Sequence, residues 1–252
     1  MAAAYDTFDY PSYWIGRDYE HKSEVLAIRA FLTKIRSVKT VLEVGSGFGR
    51  LVPSYSFRAK KIILSDPSSR LLKIARETFK GKKNFKFIHS SLENIPQKLR
   101  AGSVDLVILV RVIHHLQDIP QAFQIVERTL KPGGYFILEF ANKKNLKAMI
   151  REALKGNIMF PIDIFPTDLR SKRSIRKNDL PFFNHHPDKI KDILTEHGFD
   201  IVEIRSVSNT RSSFLKRIVS TDILLSLENI LQSLFSFIYF GPSIFVLARK
   251  RG

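Results

Sequence analysis

The residues best suited to chemistry in this chain lie in a few short stretches. The first is Val41-Leu-Glu-Val-Gly-Ser-Gly-Phe-Gly-Arg50, an apolar run that leads into three glycines. Glycines at the carboxyl end of a strand let a ligand lie against bare backbone, and the following helix start offers free amides to an anionic group. The spacing is G-x-G-x-G, whereas a dinucleotide fingerprint places its third glycine one position later. Glu43 stands just before the loop, where a carboxylate repels a pyrophosphate and suits a cationic ligand. A nicotinamide dehydrogenase is therefore disfavoured. The second stretch ends in Asp66, an acid at the end of the next apolar run. Such an acid accepts hydrogen bonds from ribose hydroxyls; alternatively it opens a turn or caps a helix that starts at Ser68. The third is His114-His115, after Val104–Val110. An imidazole there can orient a substrate or take its proton, or His115 packs on a ligand's edge while His114 is structural. His185-His186 has two readings as well: facing the pocket, or capping the helix entered through Pro187-Asp188.

These residues need a frame. Short apolar runs at 40–45, 61–66, 85–90, 104–110 and 134–140 alternate with helical segments at 68–80 and 120–131. That rhythm predicts βαβ units and a parallel sheet, and the doubly apolar run Val104–Val110 predicts a strand covered on both sides. Val25, Ile28, Leu32 and Ile35 lie at helical spacing, so residues 20–35 predict an amphipathic helix packed on this frame. After Phe140 the rhythm breaks into a basic segment. It returns with a helix at 186–199 that stops at Gly198, a strand at 200–208, an apolar helical segment at 214–239 and a last strand at 243–250.

The chain has 252 residues, 44% of them hydrophobic, enough for one sizeable domain with an elaboration. It contains no cysteine, which excludes disulfides, thiolate metal sites and cysteine nucleophiles; no metal is expected. The formal net charge of +17 favours anionic partners. Because the charge is spread along the chain, a generally basic composition explains it equally well. The first residues lack a basic region followed by an apolar run, so no secretory leader is predicted and a cytoplasmic location is the default.

Four motifs, VLEVGSGFGR, ILSDPS, SVDLVILVRVIHHLQD and LKPGGYFILEF, span roughly residues 38–141. In these the chain resembles the class I S-adenosylmethionine-dependent methyltransferases, of the broad subgroup that includes the ubiquinone/menaquinone C-methyltransferases. The resemblance implies an α/β, Rossmann-like, seven-stranded and mostly parallel sheet with helices on both faces, plus inserted lid segments. Residues 1–37 would form a helical segment covering the cofactor site. Residues 38–252 would form the methyltransferase domain, with a lid at 142–184 and a helical elaboration at 209–241. By the same resemblance Glu43, Gly45, Ser46, Gly47 and Gly49 would hold the methionine part of S-adenosyl-L-methionine, and Asp66 its ribose. Pro67 would border the adenine. Ser91, with Leu92 beside it, stands where the family often has an acid, so a neutral hydroxyl would take the adenine amino group. Arg111 joins the cofactor set, and His115 with His114 are the catalytic candidates. Arg17 or Tyr19, in the leading segment, would meet the cofactor carboxylate or the substrate, or that segment is a packing strap.

The acceptor is less legible. Strand four continues Val110-Arg111-Val112-Ile113, without the Asn/Asp-Pro-Pro-Tyr that grips planar amino groups, and the missing cysteine excludes the covalent route to cytosine C5. DNA-base methylation is thus disfavoured. The expectation is a small-molecule acceptor, lipid-like or anionic. RNA or protein methylation is an alternative, as is a cofactor-binding module without catalysis. Ile223, Leu227, Ile230, Leu231, Leu234 and Ile238 form one helical stripe. It predicts packing against the core or a second subunit; the other reading is a helix at 214–239 lying on a membrane. The oligomeric state is left open.

Overall fold

A computed structural model describes Asp6, residues 9–177 and residues 179–252; the start of the 1–37 segment (residues 1–5, 7 and 8) lies outside the described residues. Seven strands form one sheet in the order β3-β2-β1-β4-β5-β9-β8. They are β1 Thr40–Val44, β2 Lys61–Asp66, β3 Phe85–His89, β4 Val104–Leu109, β5 Leu130–Ala141, β8 Phe199–Val207 and β9 Ser243–Lys250. β1 to β5 pair in parallel, and β9 runs antiparallel to both β5 and β8. This is the mixed, mostly parallel sheet that the βα rhythm predicts, but the helix start expected after the glycine loop is absent. β1 connects to β2 through two 3-10 turns, Val52–Ser54 and Ser56–Arg58, because the left-handed backbone of Gly47 and Gly49 is incompatible with a right-handed helix there. β5 starts earlier than its apolar run suggested. The helix before it ends at Thr129, and Lys131 and Pro132 already belong to the strand, with an irregular register opposite β4 between Val104 and Leu106.

The helices, in chain order, are α1 Tyr10–Tyr13, α2 Asp18–Lys34, α3 Ser69–Thr78, α4 Ile95–Lys98, α5 Ile119–Thr129, α6 Leu146–Leu154, α7 Lys172–Arg176, α8 Pro187–Glu196, α9 Leu215–Ile218 and α10 Thr221–Leu234. Period-two alternation splits the central strands between two cores. Leu42, Val44, Val107 and Leu109 face α4, α5 and α8; Val41, Leu106 and Ile108 face α2 and α3. Both sheet faces are therefore covered, which is why the central strands read as continuous apolar runs.

The segment at 142–184 stands outside the sheet, with α6, α7 and a small antiparallel pair, β6 Thr167–Asp168 and β7 Phe183–Asn184. Its anchor is Lys143, buried to 2% exposure, whose ammonium donates to Asp163 Oδ2 at 2.7 Å and to the carbonyls of Asp163 and Phe165. His185 runs beside the end of β5, donating its amide to the Ala141 carbonyl.

The C-terminal elaboration departs from expectation. The helical stretch breaks at Val219-Ser220, where Ser220 caps α10 by accepting from the Ile223 amide. α10 packs with Glu228 and Gln232 inward beside Leu224. Glu228 and Gln232 are fully buried, while Ile223, Leu227, Ile230 and Leu234 face outward. The Glu228 carboxylate accepts from the Tyr19 hydroxyl at 2.6 Å and from the Ser208 and Asn209 amides at 2.7 and 2.9 Å. Gln232 donates to the Ser23 carbonyl. The apolar stripe is not buried against the core, because these hydrogen bonds fix the opposite face of the helix on α2 and β8. Among the described residues no helix is long and apolar enough to cross a membrane.

Glu228→Ala leaves the Tyr19 hydroxyl and two backbone amides without their acceptor. Stranded buried donors cost about 1–3 kcal/mol each, so we expect a loss of at least ~2 kcal/mol in urea denaturation, with a smaller loss for Glu228→Gln.

Candidate functional site

A cavity of about 300 Å³ opens at the carboxyl ends of β1, β2 and β4, at the low end of the size range of small-molecule sites. In this sheet order β1 and β4 lie side by side while their crossovers leave in opposite directions. Their carboxyl ends thus part to form the crevice where ligands bind in open α/β sheets. The cavity brings together Gly45, Gly47, Asp66, Pro67, Ser91, Leu92, Arg111 and His115 from the sequence-derived set, and adds Tyr10, Leu71, Val112, Leu116 and Leu180.

The loop after β1 can be built only from glycine at two points. Gly45 has φ +69°, and a Cβ there would lie 2.3 Å from a Val112 methyl; Gly49 has φ +81°, and its Cβ would lie 2.5 Å from the Phe79 ring. Both positions combine a left-handed backbone with a neighbour in the way. Gly47 lies between them on the cavity wall, facing Tyr10 and Leu71. Asp66 locks the loop. Its carboxylate accepts from the Gly47 amide at 2.7 Å and from the Ser68 amide at 2.8 Å. Burial raises its pKa against the lowering effect of those amides. The cap of α3 is Ser68, which accepts from the Leu71 amide, so Asp66 serves the loop and the turn while lining the cavity.

Glu43, Ser46, Gly49 and His114 are not on the cavity wall. Glu43 lies behind the loop, 3% exposed, and its carboxylate accepts from the Tyr55 hydroxyl. Burial pushes its pKa up to about 7, opposed by the Tyr55 hydrogen bond and the Arg50 charge. Ser46 holds the loop to β2 through its amide, which donates to the Ser65 carbonyl, and its hydroxyl is buried without a hydrogen-bond partner among the described residues. His114 packs at 4.6 Å from the Phe182 ring and 4.0 Å from His115.

His115 Nδ1 lies 2.6 Å from the Pro181 carbonyl. A carbonyl only accepts, so Nδ1 carries the proton and Nε2 the lone pair, the tautomer a general base needs. Burial lowers the pKa of His115, and that of His114 further, which keeps both rings neutral at pH 7. His185 is lowered to about 4 by burial. His186 takes the capping role: its Nδ1 accepts from the Asp188 amide at the start of α8, and its Nε2 faces the Pro161 carbonyl.

Part of the site was not foreseen. Glu24 on α2, 2% exposed, accepts from Arg50 at 2.6 Å and from Arg111 at 2.7 Å. Burial alone would raise its carboxyl, but the two guanidinium groups outweigh that and hold it below the usual range. Both also lie over the Trp14 ring, Arg50 at 3.5 Å and Arg111 at 4.8 Å. Arg111 has φ +59°, a left-handed conformation rare for an arginine, and its amide donates to the buried Glu139 carboxylate at 2.7 Å. The available signal was an acid on the apolar stripe of α2, one turn before Ile28. Tyr19 does not reach the cavity, and Arg17 lies in a separate groove.

Residues 42–138 match the methyltransferase domain family. The chain is 26% identical to the tRNA 5-carboxymethoxyuridine methyltransferase of Escherichia coli K12 over 64% of its own length, and spans 60% of that enzyme. It is 26% identical to the ubiquinone/menaquinone biosynthesis C-methyltransferase of Pseudomonas putida GB-1, over 71% of this chain and 72% of that one. An S-adenosylmethionine-dependent methyltransferase from Mesorhizobium loti superposes with a TM-score of 0.60 at 16% identity, covering 90% of this chain and 98% of that chain. One from Leishmania major gives 0.66 at 14% identity, covering 97% and 80%. Residues 42–138 thus match a methyltransferase domain, the chain has the seven-stranded fold of these S-adenosylmethionine-dependent enzymes, and the cofactor of such a domain is S-adenosyl-L-methionine.

A carboxyl whose pKa rises on folding costs stability where the unfolded form is ionised. The penalty from Glu43 therefore grows as pH rises from about 4.5 to about 7 and is relieved as pH falls. Glu43→Gln should flatten this slope, so that its melting temperature gains on the wild type between pH 5 and 7. Parallel curves would contradict the assigned shift.

Proposed function

We propose that this chain transfers a methyl group from S-adenosyl-L-methionine to a small-molecule acceptor that is lipid-like or anionic. The observation that carries the reading is the crevice at β1, β2 and β4, with its bare glycine backbone, the Asp66 carboxylate and His115 on one wall. The residues present suit the cofactor. The Ser46 hydroxyl, which has no hydrogen-bond partner among the described residues, offers a donor to a carboxylate, and Asp66 can accept from ribose hydroxyls. Ser91 and Leu92, beside Pro67, would border the adenine, with a hydroxyl in place of a carboxylate. Glu43, from behind the loop, would act through space on the cofactor's positive charge rather than by contact.

Bound S-adenosyl-L-methionine supplies an electrophilic methyl group on a sulfonium. The chain's own residues must orient the acceptor, exclude water and, for an acceptor that carries a proton, remove it. Leu116, Val112 and Leu180 make the wall near His115 apolar, which suits an acceptor with a hydrocarbon part. The His115 imidazole, held by the Pro181 carbonyl with its Nε2 lone pair, can accept that proton.

Calorimetric titration should give binding of S-adenosyl-L-methionine and of its demethylated product but not of NAD. Asp66→Ala should weaken both by ~10-fold or more, the scale of lost hydrogen bonds to a charged group; unchanged affinity would remove Asp66 from the ribose. With methyl-labelled cofactor, label should enter the organic phase of a cell extract, and label in RNA instead would overturn the small-molecule acceptor. His115→Ala should lower that transfer by ~10²-fold while cofactor affinity stays within about threefold.

A further inference from the structure

We propose that the face formed by α6, α9 and α10 docks on an anionic membrane surface. The inference does not depend on methyl transfer. It starts from two helices whose outward faces are apolar. On α6, Leu146, Ile150 and Leu154 recur every fourth residue and are exposed, Leu154 to 85%. Lys147, Arg151 and Lys155 form a parallel row one residue further on, also exposed. An apolar stripe flanked by a basic one is the pattern of a helix lying in a bilayer interface, where the first inserts among acyl chains and the second meets lipid phosphates. On α10 the outward stripe of Ile223, Leu227, Ile230 and Leu234 is held outside by the inward hydrogen bonds of Glu228 and Gln232. Rotating the helix to bury the stripe would break those bonds, so the stripe is left for a partner.

The two helices belong to one region. The Leu146 amide, at the start of α6, donates to the carbonyl of Phe240, whose ring stacks on Phe235 just past the end of α10. Between α6 and the start of α9 lies an open groove of about 900 Å³, lined, among the described residues, by Arg17, Lys147, Arg211 and Lys216 against the single carboxylate of Glu20. Glu20 pairs with Lys216 and Arg211, and the groove keeps a net positive lining. On α9, Lys216 lines the groove, while Ile218 and Phe214, just before the helix, are exposed. Charge complementarity thus assigns lipid phosphates to the groove and acyl chains to its apolar borders.

This combination decides among occupants. A second copy joined by twofold symmetry would bring this basic patch against an equally basic one, on a chain of net charge +17. An RNA would satisfy the cations but leave both apolar stripes in water. An anionic bilayer satisfies both.

The test is co-sedimentation of the full chain with phosphatidylcholine vesicles, with and without phosphatidylglycerol. Binding is expected only with the anionic lipid, and it should weaken as salt is raised. Ile150→Glu with Leu154→Glu, and separately Lys147→Glu with Arg151→Glu, should each reduce it by ~10-fold or more, while melting temperature and S-adenosyl-L-methionine affinity stay as in the wild type. Both pairs lie on the exposed face of α6, so loss of fold is readily told from loss of docking. Absence of binding to anionic vesicles would overturn the proposal, as would binding that both variants leave unchanged. A dimer in sedimentation velocity that the Glu variants dissolve would overturn it in favour of a second copy. RNA binding without vesicle binding would overturn it in favour of nucleic acid.

Discussion

Glu24 is buried on α2 with two guanidinium groups, one from the turn after the glycine loop and one from just past the end of β4. An unpaired carboxylate at that depth would be strongly unfavourable, and two arginines without it would repel each other across Trp14. The three therefore form only together, and forming them joins α2, the loop and the end of β4. Arg50 stands one residue past Gly49, and Arg111 two residues past the end of β4. The cluster thus holds both sides of the crevice at once. The left-handed backbone of Arg111, costing about 1–3 kcal/mol, is tolerable because Glu24 holds its side chain and Glu139 its amide.

Around that cluster the buried carboxylates divide the labour. Asp66 remains at the cavity wall while its amide bonds shape the loop. Glu43 and Glu139 sit behind the wall, each held by a hydroxyl, Tyr55 for one and Ser243 for the other. Burial raises the pKa of both, which makes them sensitive to charge brought into the crevice. The histidines follow the same logic. Burial keeps His114 and His115 neutral, and a backbone carbonyl from the segment at 142–184 sets the His115 tautomer. That segment thus supplies Leu180 to the cavity wall and the Pro181 carbonyl beside His115.

Much of the frame was readable in advance because it rests on local periodicity. β1 to β4, β9 and the helices on their flanks fall within a residue or two of the runs that predicted them, since period-two and period-3.6 patterns are properties of neighbouring residues. The glycine spacing and Asp66 were readable for the same reason: both are set by what a strand end and a turn permit. Boundaries failed where pairing overrode pattern, as at Leu130–Pro132, which β4 draws into the sheet. The Glu24 cluster was harder to see. Its members are distant in the chain, and an acid on an apolar helical stripe only signals that a partner exists, without naming it.

The tail shows the limit most clearly. By itself the sequence determined that the stretch at 214–239 is helical and amphipathic and that Ile223, Leu227, Ile230 and Leu234 share a side; the break at Val219-Ser220 was not legible in it. It also determined the G-x-G-x-G bend, because left-handed backbone dihedrals and close approach admit only glycine there. Which side of the helix turns inward was decided by tertiary structure. Tyr19, Ser23, Ser208 and Asn209 present donors and an acceptor that only Glu228 and Gln232 can satisfy. A buried polar group left unpaired costs more than an exposed leucine, so satisfying those partners overrides the pull of the apolar stripe toward the core.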